Sequence, residues 1–292
     1  LNFYRGANQC PVIPGSSLKG VIRTVAEAAG NGCLVLPNRL IYERGRMIYR
    51  LPQAYYACTE IEALCPTCRL FGMLSGKNVF SGNVSIMDAA LESKAVFDKI
   101  HLAVLSTPKP RHKAFYAHDP QEERPLIAGR KFYYHRPQVV LTRAQEDKQN
   151  KTVEALMPEA VFTFEVDYQN LFEEDLQLLL FSLTLWEDTC HKIGMGKPLG
   201  LGSVRIEVTG LREWNPAERY TQYGKGWRET LAGEALTMWL DKQVSGFRDS
   251  TSPPLHALHR ILRWDKNNPT ETKYPDRNWF DDHSDVPLKD LK

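Results

Sequence analysis

The order in which helix-like and strand-like patterns alternate over residues 1–210 limits this chain to few topologies. Between Pro14 and Gly30, apolar residues recur with the i, i+3, i+4, i+7 spacing of a helix with one buried face. The stretch GNVSIMDA at 82–89 then predicts a strand that enters the core. Apolar and polar residues alternate from 160 to 168, which is typical of a second, half-buried strand.

A second helix and a last strand complete the series. The segment LFEEDLQLLLFSLTLWE at 171–187 predicts a strongly apolar helix with acidic residues in its first turn. A glycine-rich loop follows at 194–202, and apolar residues alternate after it through 204–208 as in a strand. The series lacks only an opening strand to form a β-α-β-β-α-β unit, so we expect an α+β fold with a ferredoxin-like core. The opening strand is expected just before Leu1, or partly within residues 2–5.

Composition bounds the class of protein. Apolar residues make up 42% of the 292 residues and charged residues 25%, which is typical of a folded chain. The formal net charge is only +2, so a nucleic-acid-binding surface must come from local clusters of basic residues. The sequence has no run of 18 apolar residues and no signal-peptide pattern, so we expect a cytoplasmic protein without membrane contact. Residues 211–292 are less regular, with two short helices, and are interpreted as a C-terminal extension.

Three of the six cysteines form the pattern CTEIEALCPTC, which contains Cys58, Cys65 and Cys68. In a cytosolic chain this spacing favours a metal site over disulfides, and a tetrahedral Zn²⁺ needs four such donors. Cys33 is the preferred fourth ligand, in a structural zinc-binding insertion over about 33–72. The alternatives for that ligand are Cys10, Cys190 and His191. Free buried cysteines without metal are the other interpretation.

The first helix carries an unusual polar pattern at its start. Ser16 or Ser17 is expected to cap the helix. Lys19 and Arg23 stand one turn apart, where like charges repel, and Gly20 weakens the helix between them. Both features favour a polyanion against this face, with the positive end of the helix dipole nearby. An ordinary capped helix with a solvated basic face is the alternative.

Two further segments could contact nucleic acid. Gly194 and Gly196, with Lys197, expose amides and a charge that could hold a phosphate backbone, although a plain turn would use the same glycines. This loop does not match the Walker pattern. A Pro-rich excursion over about 108–137 is expected to form a long loop or hairpin. It combines aromatic residues with basic ones, as proteins that bind single-stranded nucleic acid do, and the predicted RNA contacts there are Lys109, Arg111 and Lys113. A solvated charged loop is the alternative interpretation.

Four motifs together resemble the RAMP superfamily of CRISPR-associated proteins. They are IPGSSLKGVIRTVAEA, CPTCRLFG, VSIMDA and HKIGMGKPLGLGSVRI, in the family's order over roughly the first 210 residues. Within that superfamily the chain most resembles the Cas7-like backbone subunits of type III effector complexes. The zinc-containing domains of types III-D and III-E are the most similar.

The resemblance implies a modified RRM-like core that holds CRISPR RNA and its complementary target RNA in antiviral defence. It implies an extended thumb, which we assign to the 108–137 excursion, and partners that are other Cas7-like or RAMP subunits and Cas10-type or fused subunits. Guide contacts are then expected at Ser16, Ser17, Lys19 and Arg23, beside the glycine-rich loop.

Catalysis is the point at which the sequence departs from the family pattern. Subunits that cut RNA use an acidic residue before the first helix, and residues 1–14 contain none. We therefore expect binding without cutting, with Asp88 as a structural residue at a strand end. A metal-dependent RNase using Mg²⁺ is the alternative, with an acid upstream of Leu1 or in the 108–137 excursion. A guide-processing endonuclease of the Cas6 kind, acting through histidine, is a weaker one.

Overall fold

A computed structural model describes residues 1–34, 42–43, 46–47, 49–104, 112–141, 151–214, 216–223, 227–267, 279, 282–283 and 285–287. The helices are α1 (Gly15–Ala29), α2 (Pro66–Phe71), α3 (Lys113–Tyr116), α4 (Glu173–Thr184), α5 (Pro216–Thr221), α6 (Gly233–Arg248) and α7 (Pro253–Leu262), with 3-10 turns at Gln53–Tyr55, Ile61–Ala63 and Lys197–Leu199. The strands are β1 (Val12–Ile13), β2 (Tyr42–Glu43), β3 (Arg46–Met47), β4 (Met73–Ser75), β5 (Asn78–Phe80), β6 (Val84–Ile86), β7 (Ala89–Leu91), β8 (Phe97–Leu102), β9 (Lys151–Leu156), β10 (Phe162–Thr163), β11 (Val166–Tyr168), β12 (His191–Lys192), β13 (Ser203–Val204), β14 (Gly210–Trp214) and β15 (Trp227–Ala232).

The structure is mixed α+β, as predicted, and its strands form small antiparallel sheets. β7 lies between β1 and β10, and β6 pairs with β11. Side chains alternate between half-buried and exposed along residues 160–168, which confirms the predicted half-buried strand. Residues 164 and 165 interrupt its pairing with neighbouring strands and divide it into β10 and β11. Among the described residues, the strand that precedes α1 in this sheet is Val12–Ile13, which lies later in the chain than the predicted residues 2–5.

The reason for that difference lies at Gly15. Pro14 directly follows the two-residue strand, and the chain turns at once into α1. A Cβ on Gly15 would collide with the Ile86 carbonyl oxygen. Glycine therefore lets the start of the helix close onto the end of β6, and a strand of only two residues fits before it.

α1 and α4 pack against each other over this sheet. α1 buries one face through Leu18, Ile22 and Val25, and α4 contributes Leu178 and Phe181 to the same interior. The acidic first turn predicted for α4 is present at residues 173–175, where negative charge complements the positive end of the helix dipole. The two predicted helices, the first with one buried face and the second strongly apolar, are thus confirmed.

The C-terminal region shares this core. α6 and α7 confirm the two helices predicted there, and α6 is longer than the pattern indicated. Leu240, Val244 and Leu258 pack in one cluster with Phe181 and Trp186. The β14–β15 hairpin in front of α6 was not predicted. None of the described helices is long and apolar enough to cross a membrane.

The predicted excursion leaves the sheet between β8 and β9, which pair along their whole length. Its described part, 112–137, lies against the rest of the molecule instead of projecting from it. Ala114 and Ala117 are buried, and Arg50 bridges to Leu126. Lys109 and Arg111, two of the predicted RNA contacts, lie outside the described residues.

Candidate nucleic-acid interface and metal centre

Four cysteine thiols converge in one place. The Sγ atoms of Cys33, Cys58, Cys65 and Cys68 all lie within 4.8 Å of one another, and Cys33 Sγ is 3.5 Å from Cys68 Sγ. Zn–S bonds of about 2.3 Å in a tetrahedron hold sulfurs about 3.8 Å apart. The four residues therefore fit a tetrahedral metal ion, and the predicted fourth member, Cys33, belongs to the group.

Local geometry explains why these thiols meet. Pro66 opens α2, so Cys65 precedes the helix and Cys68 lies one turn along it. The Cys65 amide donates to Cys58 Sγ at 3.3 Å. Cys33 arrives after the end of α1, where a Cβ on Gly32 would collide with Thr67. Glycine at position 32 is what permits this close approach.

The thiols interact electrostatically even without a metal ion. The pKa of Cys65 is lowered, because Cys33 and Cys68 donate hydrogen bonds to its thiolate. The pKa of Cys68 is raised, because hydrogen bonds with Cys33 and with Cys65 hold its proton. All six cysteines of the chain are free thiols, with no disulfide competing for these sulfurs. A bound cation would favour the thiolate form of all four.

Two arginines tie this cluster to the rest of the protein. Arg69 makes two bonds of 2.7 Å to Asp175 of α4, and that carboxylate is 1% exposed. Arg130, in the predicted excursion, donates to Glu27 at 2.8 Å and to the Cys33 carbonyl at 3.1 Å. Sequence reasoning missed Asp175, since an acid in the first turn of a helix was interpreted only as a partner of the helix dipole.

The start of α1 differs from the prediction. Ser16 and Ser17 do not cap the helix; Pro14 occupies the N-cap position, and both serines are exposed in the first turn. The Gly15 amide is instead satisfied by Asp88 Oδ1 at 2.7 Å. The chain folds β7 back against this end of the helix, so a carboxylate from a distant strand end replaces a local cap. This contact agrees with the structural role expected for Asp88.

Lys19 and Arg23 are partly used by the protein itself. Lys19 Nζ donates to the Val84 carbonyl at 3.2 Å. Arg23 donates to Glu27 at 2.9 Å and to the Gly72 carbonyl at 3.1 Å. Partial burial, with Arg23 nearby, lowers the pKa of Lys19. The like-charge repulsion foreseen from the sequence is present, but both side chains also fasten α1 to its neighbours.

The glycine-rich loop carries a group of cations. Gly194, Gly196, Gly200 and Gly202 all have φ between 72° and 105°, a region that favours glycine. Burial, together with the positive charges of Lys197 and Arg136, lowers the pKa of Lys192 to about 8, although Cys190 acts in the opposite direction. Lys192 was not singled out from the sequence, although it lies inside the quoted HKIGMGK motif.

The remaining candidate residues are engaged elsewhere. Lys113 Nζ donates to the carbonyl oxygens of Glu122 and Glu123 at 3.1 and 2.8 Å. Glu122 pairs with Arg50 at 2.6 Å. Among the described residues, the cysteine cluster is the one group of three or more side chains that could together hold a metal ion.

Comparison with known proteins adds one match. The family model of the RAMP superfamily matches residues 2–205. This match spans α1, the four cysteines and the glycine-rich loop. No curated protein matches the chain.

Proposed function

The chain belongs to the RAMP superfamily, and on that premise we propose that it is an RNA-binding backbone subunit of a type III CRISPR effector ribonucleoprotein. In this proposal it is a Cas7-like subunit that holds CRISPR RNA and the complementary target RNA. It assembles with other RAMP subunits and with Cas10-type or fused subunits, in the cytoplasm. The observation that carries the proposal is the family match over residues 2–205.

The cationic group at the glycine-rich loop supports an anionic partner. Lys192, Lys197 and Arg136 are close enough for their charges to interact. Like charges held together in a folded chain favour a bound polyanion, which would relieve their repulsion. Gly194 is exposed in the same loop, as contact with an RNA phosphate requires, whereas Gly196 is buried.

The first turn of α1 supplies the second proposed RNA surface. Ser16 and Ser17 are exposed there, and Gly20 is exposed in the second turn. Lys19 and Arg23, although partly bound internally, add positive charge to the same helix. In the excursion, Lys109, Arg111 and Lys113 remain the proposed RNA contacts.

The cysteine cluster is proposed to hold a structural Zn²⁺. Four thiolates and no carboxylate or open position are typical of structural zinc sites. Bound Zn²⁺ would cross-link the end of α1 to α2, and the cluster would then contribute directly to folding.

A pair of glycine variants tests the α1 surface. A Cβ on Gly20 or on Gly246 would meet nothing within 4 Å, and both residues are exposed in helices. Gly20→Ala and Gly246→Ala should each stabilise the protein by about 0.5–1 kcal/mol. Only Gly20→Ala should weaken binding of single-stranded RNA, because only its methyl group would stand where RNA approaches. RNA affinity equal to wild type in Gly20→Ala would contradict the assignment.

Binding without cutting is tested in the assembled complex. The subunit, purified with its neighbouring subunits and guide RNA, is given labelled complementary RNA with and without Mg²⁺. We expect the complement to be protected and left intact at this subunit's position. Mg²⁺-dependent cuts mapping to that position would instead make this subunit a nuclease.

A further inference from the structure

A cleft of about 480 Å³ opens where the chain after α7 passes beside β12 and β13. Its volume lies within the range of small-molecule sites. The side chains that line it are Cys190, Ser203, Arg205, Trp264, Asp265 and Lys266. The cleft is thus composite, with one wall from the family-matched region and the other from the C-terminal extension.

Backbone hydrogen bonds hold the two walls in register. The Cys190 amide donates to the Leu262 carbonyl at 3.0 Å, and the Trp264 amide donates to the Asp188 carbonyl at 2.8 Å. These bonds run antiparallel on either side of a bridge between Thr189 and Arg263. The indole of Trp264 is therefore presented by a fixed backbone.

A buried histidine joins three of the lining residues. His135 Nε2 is 2.9 Å from the Cys190 carbonyl oxygen, and its Nδ1 is 2.8 Å from Ser203 Oγ. Its ring meets Trp264 edge-on, with centroids 5.5 Å apart. Burial lowers the pKa of His135 to about 4, so the ring is neutral at physiological pH.

This arrangement fixes where the protons lie. A carbonyl oxygen can only accept, so Nε2 of His135 carries the hydrogen and Nδ1 accepts from the Ser203 hydroxyl. The oxygen of Ser203 then has its lone pairs left for an incoming donor. Asp265, another lining residue, holds the Asn267 amide with one carboxylate oxygen at 2.9 Å and can accept a further hydrogen bond.

Charge and shape in the cleft complement a nucleotide. Arg205 and Lys266 are exposed, and Arg205 makes a side-chain hydrogen bond with Cys190; the ion pairs of the described residues include neither cation. Arginine and lysine bind phosphate, and the face of tryptophan stacks on nucleobases. The hydrogen-bond acceptors on Ser203 and Asp265 suit the hydroxyl groups of a ribose, which donate.

We propose that this cleft binds one ribonucleotide, with its base stacked on Trp264 and its phosphate on Arg205 and Lys266. The nucleotide would be one that has left the stack of an RNA strand, or a free ribonucleotide. The strand form rests on the proposed RNA-binding function. The cleft uses different residues from the α1 surface and the cationic group of the glycine-rich loop.

Three measurements on the full chain test the cleft. Fluorescence anisotropy with a fluorescein-labelled single-stranded RNA gives the affinity for RNA. Titration calorimetry with adenosine 5′-monophosphate tests a free nucleotide. Photocrosslinking with RNA that carries 5-iodouridine, followed by peptide mapping, locates the contacted residue. The melting temperature of each variant reports whether it is folded.

The variants separate stacking from charge. Trp264→Ala should weaken RNA binding roughly 5- to 150-fold, the usual range for loss of one base stack, whereas Trp264→Phe should stay within about threefold of wild type. Arg205→Gln, at an exposed side chain, should weaken the binding of both RNA and the monophosphate and leave the melting temperature unchanged. Lys242→Gln, at an exposed lysine of α6, is the matched control and should change neither.

The outcomes distinguish this inference from the proposed function. A crosslink to the Trp264 peptide with weaker binding in Arg205→Gln supports the cleft. RNA binding that survives every cleft variant, with no crosslink there and no binding of the monophosphate, overturns the cleft and leaves the proposed function standing. Binding of the monophosphate alone, lost in Arg205→Gln, supports the cleft as a free-nucleotide site and contradicts the proposed function. Binding of neither ligand overturns both.

Discussion

Replacing Arg69 by methionine should destabilise the protein by about 3 kcal/mol, because it leaves the carboxylate of Asp175 buried without its cation. Arg69 makes two bonds of 2.7 Å to that carboxylate, which is 1% exposed, and a third bond of 2.9 Å to the Leu64 carbonyl. Removing one partner of a buried ion pair costs about 3–5 kcal/mol. The Arg69 side chain is itself 30% exposed, so water would reach the gap and the lower end of that range applies.

The effect should also reach the cysteine cluster. Arg69 directly follows Cys68 in α2, so the ion pair joins the metal-binding helix to α4, beside the packing of Leu70 and Phe71 against that helix. For a chain of this length, about 3 kcal/mol corresponds to a fall in Tm of about 5 °C. Urea denaturation followed by circular dichroism gives the free energy of unfolding, and metal analysis of the dialysed protein gives its metal content. Both quantities should be lower in Arg69→Met.

Two further variants decide whether the reasoning is right. The double variant Arg69→Met with Asp175→Leu should regain most of the lost stability, because no charge is then left buried. Arg212→Met breaks an exposed pair of 3.1 Å with Glu165 and should cost no more than about 1 kcal/mol. A loss below 1 kcal/mol in Arg69→Met, or a double variant no more stable than the single one, would refute the account.

Three other changes have defined outcomes. Cys65→Ser should release bound zinc and lower Tm, whereas Cys10→Ser, at an exposed thiol outside the cluster, should do neither. Equal zinc content in the two variants would contradict the proposed zinc site. Burial lowers the pKa of His191 to about 4, so its contribution to stability is complete above pH 6.5 and is lost as the pH falls from there through 4. In urea titrations, the free energy of unfolding of His191→Gln should fall less steeply over this pH window. The same pH dependence as wild type would count against the assignment. Gly202→Ala should lower the free energy of unfolding by at least about 2 kcal/mol more than Gly194→Ala in the same denaturation assay. Both glycines have positive φ, but only a Cβ at position 202 would collide with a carbonyl oxygen. Equal losses of stability would show that φ alone matters.

Patterns of apolar residues that repeat within one segment of the sequence predicted the helices and strands well. The buried face of α1, the alternation through 160–168 and the apolar helix α4 depend on neighbouring residues, and all three are present. Features that depend on residues far apart in the sequence were predicted less well. The cap of α1 comes from Asp88, and the strand beside it is only two residues long. No local propensity signals either one.

The candidate site shows the same division. Metal-ligand spacing predicted the grouping of Cys58, Cys65 and Cys68, and Cys33, chosen because it follows the first helix, completes the group in the structure. The internal bonds of Lys19 and Arg23 could not be foreseen, because their acceptors include carbonyl oxygens from other elements. The ribonucleotide cleft needed the packing of residues 262–266 beside β12, which no pattern in either segment indicates.

The packing of α6 and α7 has a consequence for how this chain must be handled. The family match ends at residue 205, yet Phe181 and Trp186 are covered by side chains from beyond it, such as Val244 and Leu258. A fragment cut at the boundary of the match would present those aromatic side chains to water. The segment that matches the family model is therefore shorter than the segment that builds this part of the core, and a deletion series should lose solubility well before it reaches residue 205.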